Sequence, residues 1–371
     1  MSSSVKPSFW LRCETKPHEH RSALTPTTAK ALLDAGFDIT VERDPQRIFD
    51  DEEFSAVGCK LVATNSWKTD CPLTTPVLGL KELEESTDAL PQTHVQFAHC
   101  YKHQAGWSDV LKRFRIGGGT LYDLEFLTDA NGRRVAAFGF HAGFAGAAAG
   151  CLAVGAQQSG GRLGGLKPFK HEGDMVEQVK SELAKLGRPV RALVIGALGR
   201  CGSGAVDLFR KVGLKEDDIL KWDMKETAGG GPFAEFLDVD IIVNCIYLTE
   251  PIPHFLTEEY LNKAGQDRKL ACVVDVSCDT TNPNNPLPIY SINTVFPEPT
   301  VDVKLADGLP ALTVISIDHL PTLLPRESSE SFSTALLPSL LAFPQRSTEG
   351  VWTRAEELFK KHSAEAKEVN P

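Results

Sequence analysis

The stretch VRALVIGALGRCGSGAVDLFRKVGL (190–214) decides the fold. A short aliphatic run, ALVI (192–195), enters Gly196, Gly199 and Gly202 and passes directly into a helical pattern. Beyond the helix, ILKWD (219–223) closes a second apolar run on Asp223. Strand, glycine-rich turn, helix, strand and terminal acid are the parts of a dinucleotide-binding βαβ unit. Gly196 is expected to permit the tight turn and Gly199 to let backbone N–H groups approach a pyrophosphate, while Gly202 lets helix and strand pack closely. The spacing is G-x-x-G-x-x-G, wider in its first gap than G-x-G-x-x-G. Asp223 would accept hydrogen bonds from ribose hydroxyls and repel a 2′-phosphate, which predicts NAD rather than NADP.

Composition bounds the rest. With 371 residues, 42% hydrophobic and 24% charged, the chain reads as a soluble globular protein of two domains. A net charge of −10 argues against nucleic acid or an anionic membrane as partner. MSSSVKPSFW has no long apolar core, so no signal peptide is expected. The stretch from Ala136 to Ala156 holds too many glycines, and a histidine, to be read as a membrane span. Nine cysteines, scattered and without a C-x-x-C pair, suit reduced thiols in a cytoplasmic protein and give no metal site.

Working outward, the first third alternates strands and helices. SFWLRCE, DITVER, KLVAT, PVLGLK, HVQFAHC and TLYDLEF read as strands. TPTTAKALLDAG carries a Thr N-cap, a first-turn proline and a terminal glycine, and GWSDVLKRFRIGG is a second helix. RALVIG, DILKWD, DIIVNCIYL, KLACVVDVS and LTVISIDHL repeat the alternation. The pattern predicts an α/β protein of two Rossmann-like domains with parallel sheets and the active site in the cleft between them. The glycine-rich helix after Arg133 is expected to cross from one domain to the other. Two amphipathic helices after Leu324 should return to the first domain. It would then span residues 1–137 and 325–371 and bind substrate, with 138–324 binding NAD.

Ligands of parallel sheets lie beyond the C-terminal strand ends. Lys81 closes PVLGLK, His99 closes HVQFAHC with Lys102 and Gln104 after it, and Asp123 and Glu125 fall in TLYDLEF. In a strand these two acids share a face and need a cation or a pKa shift. Arg133 and Arg134 pair at the domain boundary. Taken singly, each has a bland explanation as a solvated lysine, a core histidine or a surface arginine. Together they resemble a site for an anionic amino acid. Cys201 and Cys245 are placed by the topology at neighbouring strand ends, where oxidation could join them near the pyrophosphate, although buried reduced thiols are the plainer reading.

ETKPHEHRSALTP, GLKE, VQFAHCYKHQAGW, GTLYDLEFL, GRRVAAFGF, GALGRCGSGA, LKWDMKET, NCIYL, DVSCDTTNPNNPLPIY and VISIDHLPTLLPRE span nearly the whole chain. In these stretches the chain resembles the fungal saccharopine dehydrogenases of the NAD-dependent, L-lysine-forming type, within the alanine dehydrogenase and transhydrogenase superfamily. The resemblance implies oxidative cleavage of saccharopine with NAD and water to lysine and 2-oxoglutarate. It implies Lys81 and His99 as the acid–base pair. It implies substrate contacts at Arg21, Lys102, Gln104, Arg134, Phe138, Ser277, Cys278 and Asp279. NAD contacts would fall on Arg133, Gly199, Arg200, Asp223, Thr227, Tyr247, Val276, Ile317, Asp318, His319 and Leu320. The region Cys151 to Glu177 looks shorter and richer in glycine than expected of that family. The chain closes in Val-Asn-Pro and not in a peroxisomal tripeptide, so a cytoplasmic location is expected. A monomer acting on small molecules is also expected.

Saccharopine carries three carboxylates, which gives Arg21, Arg133, Arg134 and Lys102 work suited to arginine forks and a lysine charge. Amine oxidation, hydration of the imine and collapse of the carbinolamine each move a proton, so two groups titrating near neutrality are needed. His99 starts there; Lys81 must be depressed by burial or neighbouring cations, with Glu82, Asp123 and Glu125 opposing. Two alternatives stay open at this point: an alanine dehydrogenase-like amino-acid oxidoreductase, and a non-catalytic NAD-binding paralogue.

Overall fold

The computed structural model describes residues 6–278, 280 and 282–370. The chain divides into two compact units, Met1–Ala137 with Pro325–Pro371, and Phe138–Leu324.

In the first unit, β1 (Ser8–Leu11), β2 (Asp38–Glu42), β3 (Lys60–Val62), β4 (Val77–Leu78), β5 (Thr93–Gln96) and β6 (Thr120–Asp123) form one sheet. Its order is β3-β2-β1-β4-β5-β6 and all its pairings are parallel. The order runs outward in both directions from β1 and β4, so their C-terminal ends mark the switch point where such sheets place ligands. The chain leaves these ends as Arg12–Glu14 and Gly79–Lys81.

The helix Pro26–Asp34 starts as its sequence suggests: Thr25 accepts from the Thr28 N–H, Thr28 reciprocates, and proline opens the first turn. Leu111 and Phe114 bury one face of the helix Trp107–Gly117. The helices Pro325–Ala342 and Gly350–Val369 complete this unit. Phe332 packs on Phe97 with ring centroids 5.8 Å apart, and Trp352 packs edge-on against Tyr122 at 5.1 Å.

TLYDLEF is not one strand. β6 ends at Asp123, and Leu124–Phe126 turn into a 3-10 helix capped by the Asp123 carboxylate, which accepts the Glu125 N–H at 2.9 Å. Asp123 and Glu125 therefore do not share a strand face. The short side chain of Asp123 caps the next turn and ends the extended run.

In the second unit, β7 (Ala192–Ile195), β8 (Ile219–Trp222), β9 (Ile241–Asn244), β10 (Cys272–Asp275), β11 (Val301–Asp302) and β12 (Thr313–Ile315) form the sheet β11-β12-β10-β9-β7-β8. Only the edge pair β11 and β12 is antiparallel. Here the switch point lies at β7, flanked by β8 and β9. The glycine-rich helix Gly139–Gln158 does not pass from one unit to the other; it lies wholly within the second. Its glycines serve close packing. A Cβ on Gly143 would sit 1.9 Å from the Cys201 carbonyl oxygen, and one on Gly204 would sit 1.9 Å from that of Phe140. The helices Gly139–Gln158 and Arg200–Lys211 thus meet backbone to backbone.

Candidate active site

Lys81 lies three residues past β4, at the switch point of its sheet. Glu14, past the end of β1, holds it by the main chain: its carboxylate accepts the Leu80 N–H at 2.6 Å and the Lys81 N–H at 2.9 Å. Arg12 lies 3.4 Å from Glu14 and donates to the Lys81 carbonyl. Gly79 is required here, since a Cβ would come within 2.3 Å of the Arg12 Nε. Burial pushes the Lys81 amine below its ordinary range, helped by the charges of Arg21 and Lys16 and opposed by Glu19 and Glu82. Arg21 is itself buried in a bidentate pair with Glu19, with contacts of 2.8 and 2.7 Å.

His99 lies three residues past β5, with its backbone in the left-handed region at φ 50°. A non-glycine residue there costs energy that the surroundings must offset, and such positions concentrate at functional sites. Its Nε2 is 3.6 Å from Glu82, whose other oxygen accepts from Lys16 at 2.5 Å. Glu82, next to Lys81 in the chain, thus lies beside the histidine loop, too far for a hydrogen bond to it. Burial alone would raise the Glu82 carboxyl, but the Lys16 hydrogen bond and the Lys81 charge bring it below its usual value. Burial lowers the His99 pKa, Lys81 lowers it further, and Glu82 and Glu125 oppose. Neutral imidazole is the resting form at neutral pH.

Asp123 fixes this loop from beneath, accepting the Ala98 N–H at 3.2 Å. Burial raises its carboxyl to about 7, against the pull of the two N–H donors. Glu125 gathers the exposed cations, with Lys102 at 2.7 Å and Arg134 at 2.9 Å. Gln104 accepts the Lys102 N–H at 3.0 Å, which folds the loop back on itself. Arg133 is exposed on the turn closed by the Thr128–Arg134 bridge, its N–H bound to Asp129 at 2.9 Å. Lys81, His99, Arg21, Lys102, Gln104, Arg133 and Arg134 thus all belong to the first unit. Phe138 opens the second.

In the second unit Gly196 has φ 76°, and Gly202 packs so tightly that a Cβ would meet the Gly196 oxygen at 2.2 Å. Gly199 is the N-cap of the helix Arg200–Lys211, and both Gly199 and Arg200 are exposed. A Cβ on Gly199 would meet nothing nearer than 3.3 Å. The middle of the turn and the helix N-terminus are therefore open to an anion, as a pyrophosphate requires. Asp223 ends β8; its carboxylate accepts the Leu198 N–H of the turn at 3.1 Å and the Met224 N–H at 2.9 Å, and Thr227 donates to its carbonyl at 3.0 Å. The partly exposed carboxylate keeps lone-pair capacity for hydroxyl donors. These parts fit a dinucleotide.

Tyr247 is exposed beyond β9 and Val276 is half-buried beyond β10. Asp275 organises the loop after β10, accepting from Ser277 Oγ at 2.5 Å, Tyr290 at 2.7 Å and Asn244 at 3.0 Å. Cys278 follows with φ 53°; Asp279 lies outside the described residues. Ile317 and Leu320 are each 1% exposed in the core, so a nucleotide could meet them only through their main chain. Asp318 is exposed, and His319 stands edge-on to Phe296 at 4.8 Å. Cys201 and Cys245 are free thiols with sulfurs 2.8 Å apart. Glu14, Glu19 and Lys16 escape the sequence reading: they flank β1, and only the β1–β4 pairing brings them to Lys81.

A model of the alanine dehydrogenase/PNT N-terminal domain matches residues 10–145. The solved structures include an L-alanine dehydrogenase with a TM-score of 0.63 at 15% identity, covering 95% of this chain and 100% of that one. A transhydrogenase from Sinorhizobium meliloti follows at 0.60 and 14%, covering 89% and 92%. These two share the fold. Among curated relatives, the NAD(+), L-lysine-forming saccharopine dehydrogenase of Yarrowia lipolytica is 58% identical, covering 98% of both chains. Those of Candida albicans (57%, over 95% of this chain and 96% of the relative) and Schizosaccharomyces pombe (56%, over 96% and 98%) are similar. At that identity and coverage, the chain belongs to the family of NAD(+)-dependent, L-lysine-forming saccharopine dehydrogenases.

Proposed function

We propose that the chain oxidises L-saccharopine with NAD and water to L-lysine and 2-oxoglutarate. The observation that carries this reading is the placement of Lys81 and His99 beyond the ends of two neighbouring parallel strands, with both pKa values lowered by burial and nearby cations. Bound at the Gly196–Gly202 turn and Asp223, NAD would supply the hydride acceptor. Lys81 takes the proton of the substrate's secondary amine, which its lowered pKa allows. His99, neutral at rest, accepts a proton from the water that adds to the imine carbon and returns one as the carbinolamine collapses. Arg21, Lys102 and Arg134 bring positive charge to a substrate with three carboxylates, more than alanine would need.

The same reading takes the protein as a monomer working on small molecules; its net charge of −10 supports the absence of nucleic-acid and anionic-membrane partners, and its free cysteines a cytoplasmic location. The test is product analysis: saccharopine and NAD should yield lysine and 2-oxoglutarate in equal amounts by mass spectrometry. Oxidation of alanine with saccharopine left intact would favour the amino-acid dehydrogenase reading instead.

A further inference from the structure

The loop that carries His99 and Lys102 ends in a second group of side chains that the proposed chemistry does not use. His103 Nε2 lies 3.4 Å from Glu365 Oε2, and His362 Nδ1 lies 2.8 Å from the same oxygen. All three ligand atoms fall within 4.8 Å of one another, the one such group of histidine, cysteine and acid side chains among the described residues. His362 and Glu365 are one turn apart on the helix Gly350–Val369, so both project from the same face. His103 comes from the loop, 259 residues away from His362 in sequence, which is why the sequence gives no metal motif.

We infer that His103, His362 and Glu365 form a binding site for a divalent transition-metal ion. Two imidazoles and a carboxylate are the donor set of borderline metals such as zinc, cobalt, nickel and copper. Tetrahedral ligands at bond lengths of about 2.1 Å stand ~3.4 Å apart, the separation of His103 and Glu365. The His362–Glu365 pair needs only a small rotation to open from a hydrogen bond to that spacing. Both rings are steadied by aromatic neighbours, His362 stacked on Tyr101 at 4.6 Å and His103 tilted against Trp107 at 4.2 Å. Little side-chain freedom is then lost on binding. His103 is 55% and Glu365 36% exposed, which leaves an entry path and room for water as a fourth ligand. Lys361 lies 3.9 Å from the other Glu365 oxygen and is itself exposed, so its opposition is screened. An ion here ties the loop of Lys102 and Gln104 to the C-terminal helix.

The experiment is a Co²⁺ titration of the untagged, metal-stripped full-length protein, followed by absorption. The site predicts one ion per chain with weak d–d bands of nitrogen and oxygen ligation, and slowed amide exchange at residues 101–104. Glu365→Gln and His103→Ala should each weaken binding at least about tenfold, since even outer-shell partners of a metal ligand contribute that much. Both variants should keep their metal-free activity, which shows that they fold. Thiolate charge-transfer bands, equal affinity in the variants, or no saturable binding up to millimolar cobalt would each overturn the site.

Discussion

The Glu14 carboxylate holds Lys81 by its main chain, at 2.9 Å from the Lys81 N–H and 2.6 Å from that of Leu80. Both residues leave the sheet at the β1–β4 switch point, so the position of the proposed base is set by a buried acid. Glu14→Gln keeps one acceptor, turns an NH₂ toward a backbone donor and strips Arg12 of its counter-charge. We expect a loss of about 1–3 kcal/mol in denaturant unfolding. We also expect a fall of kcat of roughly tenfold or more, the scale of a misplaced catalytic group, with NAD affinity unchanged. Wild-type kcat in a destabilised variant would reduce Glu14 to a purely structural residue.

Lys81→Met and His99→Gln should each lower kcat by roughly 10²- to 10⁴-fold, the usual worth of a general acid or base. Each variant should also lose one limb of the bell-shaped pH profile. Because burial and cations lower both pKa values, the limbs fall below the ordinary ranges of free lysine and histidine. Retained rates with both limbs present would remove these residues from the proton transfers.

Asp123 makes stability depend on pH. Its folded-state pKa, about 7, stands above its ordinary 3.8, so the folded protein holds a proton that the unfolded chain has released. The contribution is fully present below 3.8 and is lost as pH rises through 7. The slope approaches ~1.4 kcal/mol per pH unit at most within that window. Asp123→Asn should flatten the slope while weakening the hold on Ala98 and so on His99. Urea unfolding of both proteins from acid to neutral pH checks this; parallel stability curves would exclude Asp123 as their source.

Much of this was legible because the information was local. The turn at Gly196, Gly199 and Gly202, the helix after it and Asp223 lie within one short span, and the structure forms them as expected. The Thr25 cap and Pro26 start their helix for the same reason. The fold departs from the local pattern where a side chain overrides it. Asp123 ends β6 by capping the next turn, which moves Glu125 off the strand and onto Lys102 and Arg134. The glycines of Gly139–Gln158 read as a passage between domains but serve contact with a neighbouring helix. Glu14, Glu19 and the His103–His362–Glu365 group depend on pairings across the fold that no spacing announces.

Asp223 touches the glycine-rich turn through Leu198 and still has lone pairs for ribose. Asp223→Ala should weaken NAD binding by ~1.5–3 kcal/mol, the worth of a charged hydrogen bond. It should also raise the NADP-to-NAD preference ratio. The ratio is the informative quantity, since loosening of the turn alone would weaken both cofactors alike. An unchanged ratio in steady-state kinetics would reject the ribose assignment.

Saccharopine chemistry is read out in the reverse direction by following NADH absorbance with the purified protein, lysine and 2-oxoglutarate. NADH oxidation should need both compounds together, form saccharopine and be abolished in Lys81→Met. NADH oxidation with pyruvate and ammonia in their place, or none with lysine and 2-oxoglutarate, would contradict that chemistry.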